Sequence, residues 1–412
     1  MKILIVAPMP PDPSGAGAIP ILLHAQLSGL RERNDVTVVT AAGDETGEAE
    51  ALARLRAEGF DVRAADRRQP RTAAGRWRRR VRLAGAWLRG TPWRAAWFAV
   101  PGVQRILDRL AESESFDVVV VEDSAMAGLR LPAGTPSVLT EHEVLRPRKP
   151  SWRPGPPLRW PRWAWSELDW RRRFRFQHRT WQRFDRVLAF TRRDAETIVE
   201  LCPDLAGRVA ASPFGLTVPE AAGDAVEQAD TIVFSGNFTH QPNRDAAGWL
   251  AGEIMPALRR LRPTARLLLV GNAPPQELLE MAGPAIEVVA DPARVEPYIE
   301  SAAVVLAPVR TGGGMRMKVL QALAAGKAVV TTPRGAEGFD CFGEEPPLRC
   351  ADTADGLAAA TAELLGDDEA RRDLGRRARR FAERHYSPPA WAARLEAAYR
   401  EAFGTREDEA DG

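Results

Sequence analysis

The sequence is poor in cysteine and histidine, with 3 and 5 in 412 residues. Cys202, Cys341 and Cys350 are too few and too scattered for a disulfide framework or a metal-ligand cluster. An intracellular, reducing compartment is expected, and with it a cytoplasmic location. No stretch approaches the roughly 20 apolar residues of a membrane span. The apolar start MKILIVAPMP lacks the basic region and cleavage site of a signal peptide. A soluble chain, or one attached peripherally to the inner face of a membrane, is therefore expected. Net charge is only +2, so total charge names neither a nucleic-acid nor a membrane partner.

Acidic residues are missing from one long stretch, Arg67 to Phe98, which is rich in arginine and tryptophan. A second patch, Arg146 to Arg186, sets Trp152, Trp160, Trp163, Trp165, Trp170 and Trp181 among many arginines. Arginine heads with tryptophan bodies suit an anionic membrane surface. The plainer reading, arginines on a solvated face over tryptophans in the core, stands close behind. Nucleic acid ranks last, although aromatics and arginines also stack on bases.

What is present is alternation. Lys2–Ala7 is a continuous apolar run, as in a buried parallel strand. Short strands recur at Val36–Thr40, Val118–Val121, Ser137–Thr140 and Arg186–Phe190, with helical stretches between them. A polar stretch at Pro219–Asp230 interrupts. Strands then restart at Thr231–Ser235, Arg266–Val270, Ile286–Val289, Val304–Ala307 and Ala328–Thr332, with helices over 244–262, 294–301 and 315–325. This predicts α/β architecture: two Rossmann-like, doubly wound domains facing a central cleft. Residues 1–218 form the first and 219–387 the second. A helix over 388–403 is expected to pack back on the first domain, followed by a disordered tail over 404–412.

The segment Val304–Gly338 carries the strongest functional signal. A strand leads into Gly312, Gly313 and Gly314, and a helix is expected where the glycines end, at Met315. A helix start leaves about four N–H groups without intrahelical partners and carries the positive end of the dipole. Glycines let a phosphate come close to that backbone. Arg310, Arg316 and Lys318 stand beside the loop. Three basic residues at one helix start favour an anion site over a plain turn.

The C-terminal half resembles the retaining glycosyltransferases of family 4, which have the GT-B fold, in their glycine-rich-loop subgroup. The resemblance rests on Phe234-Ser235-Gly236-Asn237, Gln241-Pro242-Asn243, Leu269-Val270-Gly271, Ala307-Pro308-Val309-Arg310 with the glycine run, Lys318 to Thr332, and Gly335-Ala336-Glu337-Gly338. The N-terminal half fits more loosely, through its first strand, Gly15-Ala16-Gly17 and Thr140-Glu141-His142-Glu143.

The family implies transfer of a sugar from a nucleotide-diphosphate donor, held by the C-terminal domain, to an acceptor held by the N-terminal one. Carbohydrates, lipid-linked molecules and small molecules are the acceptor classes, in polysaccharide, glycolipid or secondary-metabolite assembly. No cofactor and no metal are expected. In agreement, no segment read as folded has a paired-aspartate motif, and the acidic tail at Asp408–Asp411 is a poor candidate.

Without a metal, fixed cations and helix N–H groups must take the charge of the departing diphosphate. Lys318, one turn into the expected helix, is the first candidate, with Arg310 or Arg316 second and Arg244 a further one. Many members carry two glutamates where this chain has Gly313 and Gln321, and an arginine where it has Asn237. The Gln321 amide still bonds ribose hydroxyls, as a neutral partner. His142 matches the family's histidine near the transferred sugar, with Glu141 and Glu143 expected to orient it. Gly236, Asn237, Met315 and Glu337 complete the donor set, and Gly15 and Gly17 let backbone approach donor or acceptor. A nucleotide-sugar 2-epimerase on the same architecture is disfavoured by the few histidines. A non-catalytic nucleotide-sugar-binding protein is the other rival.

Overall fold

The computed structural model describes residues 1–15, 17–43, 47–68, 72–98, 100–147, 160–219 and 226–410. Ala16, in the first glycine loop, and Trp152, in the second Arg/Trp patch, lie outside the described residues, as do part of the polar stretch and the last two residues. The chain divides into two compact units, Met1–Ser212 with Ala392–Gly412, and Pro213–Trp391.

Among the described residues, the first unit is built on seven parallel strands: β1 (Lys2–Val6), β2 (Asp35–Ala42), β3 (Asp61–Asp66), β4 (Val118–Glu122), β5 (Ser137–Glu141), β6 (Arg186–Ala189) and β7 (Val209–Ala211). Their order is β3-β2-β1-β4-β5-β6-β7. Val118 to Val121 and Val138 to Leu139 are fully buried, which is why these strands read as unbroken apolar runs. β3 escaped the sequence reading because only Val62 and Ala65 of it are buried, as befits an edge strand. The sheet reverses direction of growth between β1 and β4, the switch point where doubly wound folds bind ligands.

The second unit repeats the plan with β8 (Gln228–Ser235), β9 (Arg266–Gly271), β10 (Ile286–Ala290), β11 (Ala302–Ala307), β12 (Ala328–Thr331) and β13 (Arg349–Cys350). The order is β10-β9-β8-β11-β12-β13, all neighbours parallel, with the switch point between β8 and β11. The helices Gln241–Trp249 and Met255–Leu261 are joined by a π-turn, Leu250–Ile254, where one continuous helix was expected.

The boundaries differ from 218/219 and 387/388. Phe214 and Leu216 are already buried in the second unit, and the Leu216 N–H donates to the Tyr386 carbonyl. Gly215 is pressed so close to Tyr386 that a Cβ there would lie 2.4 Å from its carbonyl oxygen. At the other end, Trp391 is fully buried with the second unit, and Leu395, Tyr399 and Ala402 with the first. The last helix, Pro388–Ala410, continues into the tail that was expected to be disordered; Arg406, Glu407 and Ala410 are ordinary helix formers.

Candidate active site

In the second unit the two loops flanking the switch point meet. The loop after β8 begins with Gly236, whose N–H donates to the Val270 carbonyl at 2.9 Å. The loop after β11 leads through the glycines to the helix Met317–Ala324. Lys318 projects from that helix across Gly236. Its Nζ donates to Asn243 Oδ1 at 2.8 Å and lies 4.0 Å from the centre of the Phe234 ring. Asn243 is itself fixed, its Nδ2 donating to the Asn237 carbonyl at 2.7 Å. The Asn237 Oδ1 accepts from the N–H and hydroxyl of Thr239 at 2.9 and 2.7 Å. A Cβ at Gly236 would sit 2.8 Å from Lys318 Nζ, so glycine is what lets the ammonium pass. Burial, then the nearby Arg316 charge, push the Lys318 pKa down to about 7. An ammonium held this way gains from any anion that joins it.

The helix begins at Met317, two residues after the expected Met315, and Lys318 lies in its first turn rather than one turn in. The cause is local. Gly312 and Gly314 have φ of 94° and 72°, and Arg316 is extended at φ −96°, ψ 102°, so helical geometry starts only after it. The Arg316 guanidinium donates to the Gly313, Gly312 and Thr311 carbonyls at 2.8, 3.0 and 3.3 Å. It braces the loop, and its charge stays beside Lys318. Among the described residues no side chain caps this helix start, and Met315 is buried beside it. Gln321 lies three residues after Lys318, on the same helix face.

Arg310 is committed elsewhere. It pairs with Asp245 at 2.7 and 3.1 Å and lies over the Trp249 ring at 4.5 Å. It also borders an open cavity of about 360 Å³ lined with Val309, Thr332, Pro333, Arg334, Glu337 and Asp352. Glu337 accepts from Arg334 at 2.8 Å. Gly335 lets this wall form: a Cβ there would lie 2.0 Å from Thr331 Oγ1.

In the first unit His142 follows β5. Its Nε2 lies 2.9 Å from Glu122 Oε2, and its ring packs on Phe190 at 5.1 Å. Its Nδ1 is buried with no hydrogen-bond partner among the described residues. Glu122, at the end of β4, is fully buried and also accepts from Gln26 at 2.7 Å and Thr140 at 3.1 Å. Burial alone lowers the His142 pKa, but the Glu122 hydrogen bond and the charges of Glu122, Asp123 and Glu141 outweigh it, so the net shift is upward.

The expected orienters, Glu141 and Glu143, do not hold His142. Successive strand residues point to opposite faces, so Glu141 turns away and accepts from Trp181 Nε1 at 2.8 Å, while Glu143 reaches Arg173 at 3.4 Å. Burial, then the Asp123 charge, raise the Glu141 pKa to about 8. Gly15 and Gly17 shape the turn before the helix Ala18–Leu30: a Cβ at Gly15 would strike Pro20 at 2.5 Å, and Gly17 has φ of 98°.

Comparison with known proteins decides the family. Residues 23–215 match the model described as glycosyl transferase 4-like domain, and residues 229–367 the model described as glycosyl transferases group 1. The chain belongs to glycosyltransferase family 4. It is 32% identical over 152 residues to a phosphatidyl-myo-inositol mannosyltransferase of Mycolicibacterium smegmatis, a match spanning 34% of this chain and 37% of that protein. Among solved structures, Anabaena HepE in complex with UDP and glucose superposes with TM-score 0.63 at 14% identity, covering 96% of this chain and 98% of that one. Sucrose-phosphate synthase from Thermosynechococcus elongatus gives 0.62 at 15%, covering 98% and 99%. The expected GT-B architecture of two Rossmann-like units is thus borne out.

Two residues of this family 4 chain escaped the sequence reading. Asn243, the last residue of the Gln241-Pro242-Asn243 motif, is the Lys318 partner. Glu122 closes the Val118–Val121 run, and a carboxylate at the carboxyl end of a buried strand was the available signal. Asp123, next to it, adopts φ of 72° and accepts from Arg94 at 2.9 Å.

Proposed function

We propose that this protein is a retaining, metal-independent glycosyltransferase of the glycine-rich-loop subgroup. The second unit would hold a nucleotide-diphosphate sugar, and the first a carbohydrate, lipid-linked or small-molecule acceptor. The observation that carries this is Lys318, laid across Gly236 at the β8/β11 switch point beside an uncapped helix start. HepE, whose solved complexes hold UDP and UDP-glucose, supports a nucleotide-sugar donor.

As the donor bond breaks, negative charge grows on the leaving diphosphate. The Lys318 ammonium and the first N–H groups of its helix would take up that charge. Gln321 and Glu337 offer hydrogen bonds to donor hydroxyls. In the first unit, a protonated His142 keeps one N–H on Glu122 and has Nδ1–H left for a sugar oxygen.

A panel of nucleotide sugars tests this, with release of nucleoside diphosphate as readout. One donor should turn over with EDTA present, with the sugar's anomeric configuration kept in the product by NMR. Lys318→Ala should lower kcat about 100- to 1,000-fold, the usual cost of losing one preorganised charge stabiliser. A folded protein that turns over no donor, or a Lys318→Ala variant with full activity, contradicts the reading.

A further inference from the structure

The helix Ala73–Leu88 wears its apolar stripe on the outside. A surface helix of a globular protein ordinarily turns that stripe to the core. Here Leu83 is the one buried residue of the helix. Trp77 is 66% exposed, Val81 48% and Leu88 73%. At about 100° per residue, Trp77, Val81, Ala84 and Leu88 fall within an arc of about 60°. The exposed Arg78 and Arg80 flank that arc on its two sides. The plainer expectation, tryptophans filling the core beneath solvated arginines, fails at Trp77 and holds for the fully buried Trp181.

A neighbouring element adds further exposed apolar side chains. Trp87, at the end of the helix, stacks on Trp165 of the helix Trp160–Trp181 at 4.5 Å, and the Arg172 guanidinium lies 3.5 Å over the Trp87 ring. Trp165 and Leu168 are themselves 48% and 42% exposed, and Trp93 is 41% exposed. Every charged residue in the described part of 72–98 is an arginine.

We propose that this face docks on an anionic lipid bilayer, with Trp77, Val81 and Leu88 entering the headgroup–acyl boundary and the arginines on lipid phosphates. The layout selects lipid over other occupants. An interfacial helix has an apolar centre and a basic rim. A nucleic-acid surface is matched by charge across the whole face, and Val81 and Leu88 give a phosphate backbone nothing. Docking is independent of the donor site, so it is measured without nucleotide. No described helix is long and apolar enough to cross a membrane, so attachment would be peripheral.

The test is flotation of the full chain with vesicles of phosphatidylcholine alone and with 30% phosphatidylglycerol. Binding should require the anionic lipid and fall as salt is raised. Arg78→Gln with Arg80→Gln should weaken it about 25-fold, at about 1 kcal/mol per arginine. Trp77→Ser with Leu88→Ser should weaken it by about 100-fold or more. All four side chains are exposed, so thermal unfolding of both variants should match the parent. No flotation, equal flotation on both vesicle types, or unchanged binding of both variants overturns the proposal. So does tight binding to duplex DNA without binding to vesicles.

Discussion

Gly236→Ala isolates the role of Lys318 without touching it. The new methyl group would sit 2.8 Å from Lys318 Nζ and 3.0 Å from Asn243 Cγ and Nδ2. Both are side-chain ends, so the clash is relieved by swinging them away rather than by moving backbone. The φ of Gly236 lies outside the left-handed region, so alanine adds no backbone strain. Replacing glycine at a compatible position even stabilises by about 0.4–1 kcal/mol through the unfolded chain. The melting temperature should therefore stay within about 3 °C of the parent. The ammonium, however, is displaced from the switch point. A hydrogen bond to a charged group is worth about 1.5–3 kcal/mol, which is about 10- to 150-fold in affinity. Isothermal titration with the nucleoside diphosphate that the parent binds should show this loss in a protein that melts normally. Undiminished affinity in Gly236→Ala would refute the placement of Lys318 on the diphosphate.

Gly271→Ala is the contrasting case: its Cβ would fall 1.7 Å from the Gly236 carbonyl oxygen, so backbone must move, and a loss of about 3 kcal/mol or more is expected in denaturant unfolding. Diphosphate binding should take up a proton above pH 7, because Lys318 titrates near 7 when unliganded and an anion raises it. Affinity then falls by up to about tenfold per pH unit above 7, the binding enthalpy at pH 8 depends on the buffer, and Lys318→Arg removes both effects. Glu122→Gln removes the Glu122 charge and leaves a weaker, neutral hydrogen-bond acceptor beside His142, so the His142 pKa moves down on NMR titration and less of it is protonated at pH 7. With it, kcat should fall about 10- to 100-fold while the donor KM changes little.

The sheet was legible because buried parallel strands read as apolar runs: KILIVA, VVVV and TIVFS each became a strand near the centre of its sheet. β3 and the two-residue β13 were not legible, since edge strands bury too few side chains to leave a pattern. The glycine loop was visible as composition, but its helix start was not. That start depends on the φ of Gly314 and the extended backbone of Arg316. The His142 partner was misassigned for a topological reason. Glu141 and Glu143 are neighbours in sequence, whereas Glu122 reaches His142 only because β4 and β5 pair in parallel with Glu122 opposite Thr140. The arginine–tryptophan stretch showed its chemistry in the sequence but not which way its apolar stripe faced, because nothing in the helix itself says which side meets the core.

The proposed function requires that Lys318 and the glycine loop hold a nucleoside diphosphate. The most direct measurement is a thermal shift of the parent and of Lys318→Ala with UDP, GDP, ADP and TDP in turn. At 100 times its dissociation constant a ligand stabilises the native state by about 2.7 kcal/mol, which is a rise of about 5–10 °C for a unit of this size. One of the four should produce that rise in the parent and little or none in Lys318→Ala. No rise with any of them, or an equal rise in both proteins, would contradict the account.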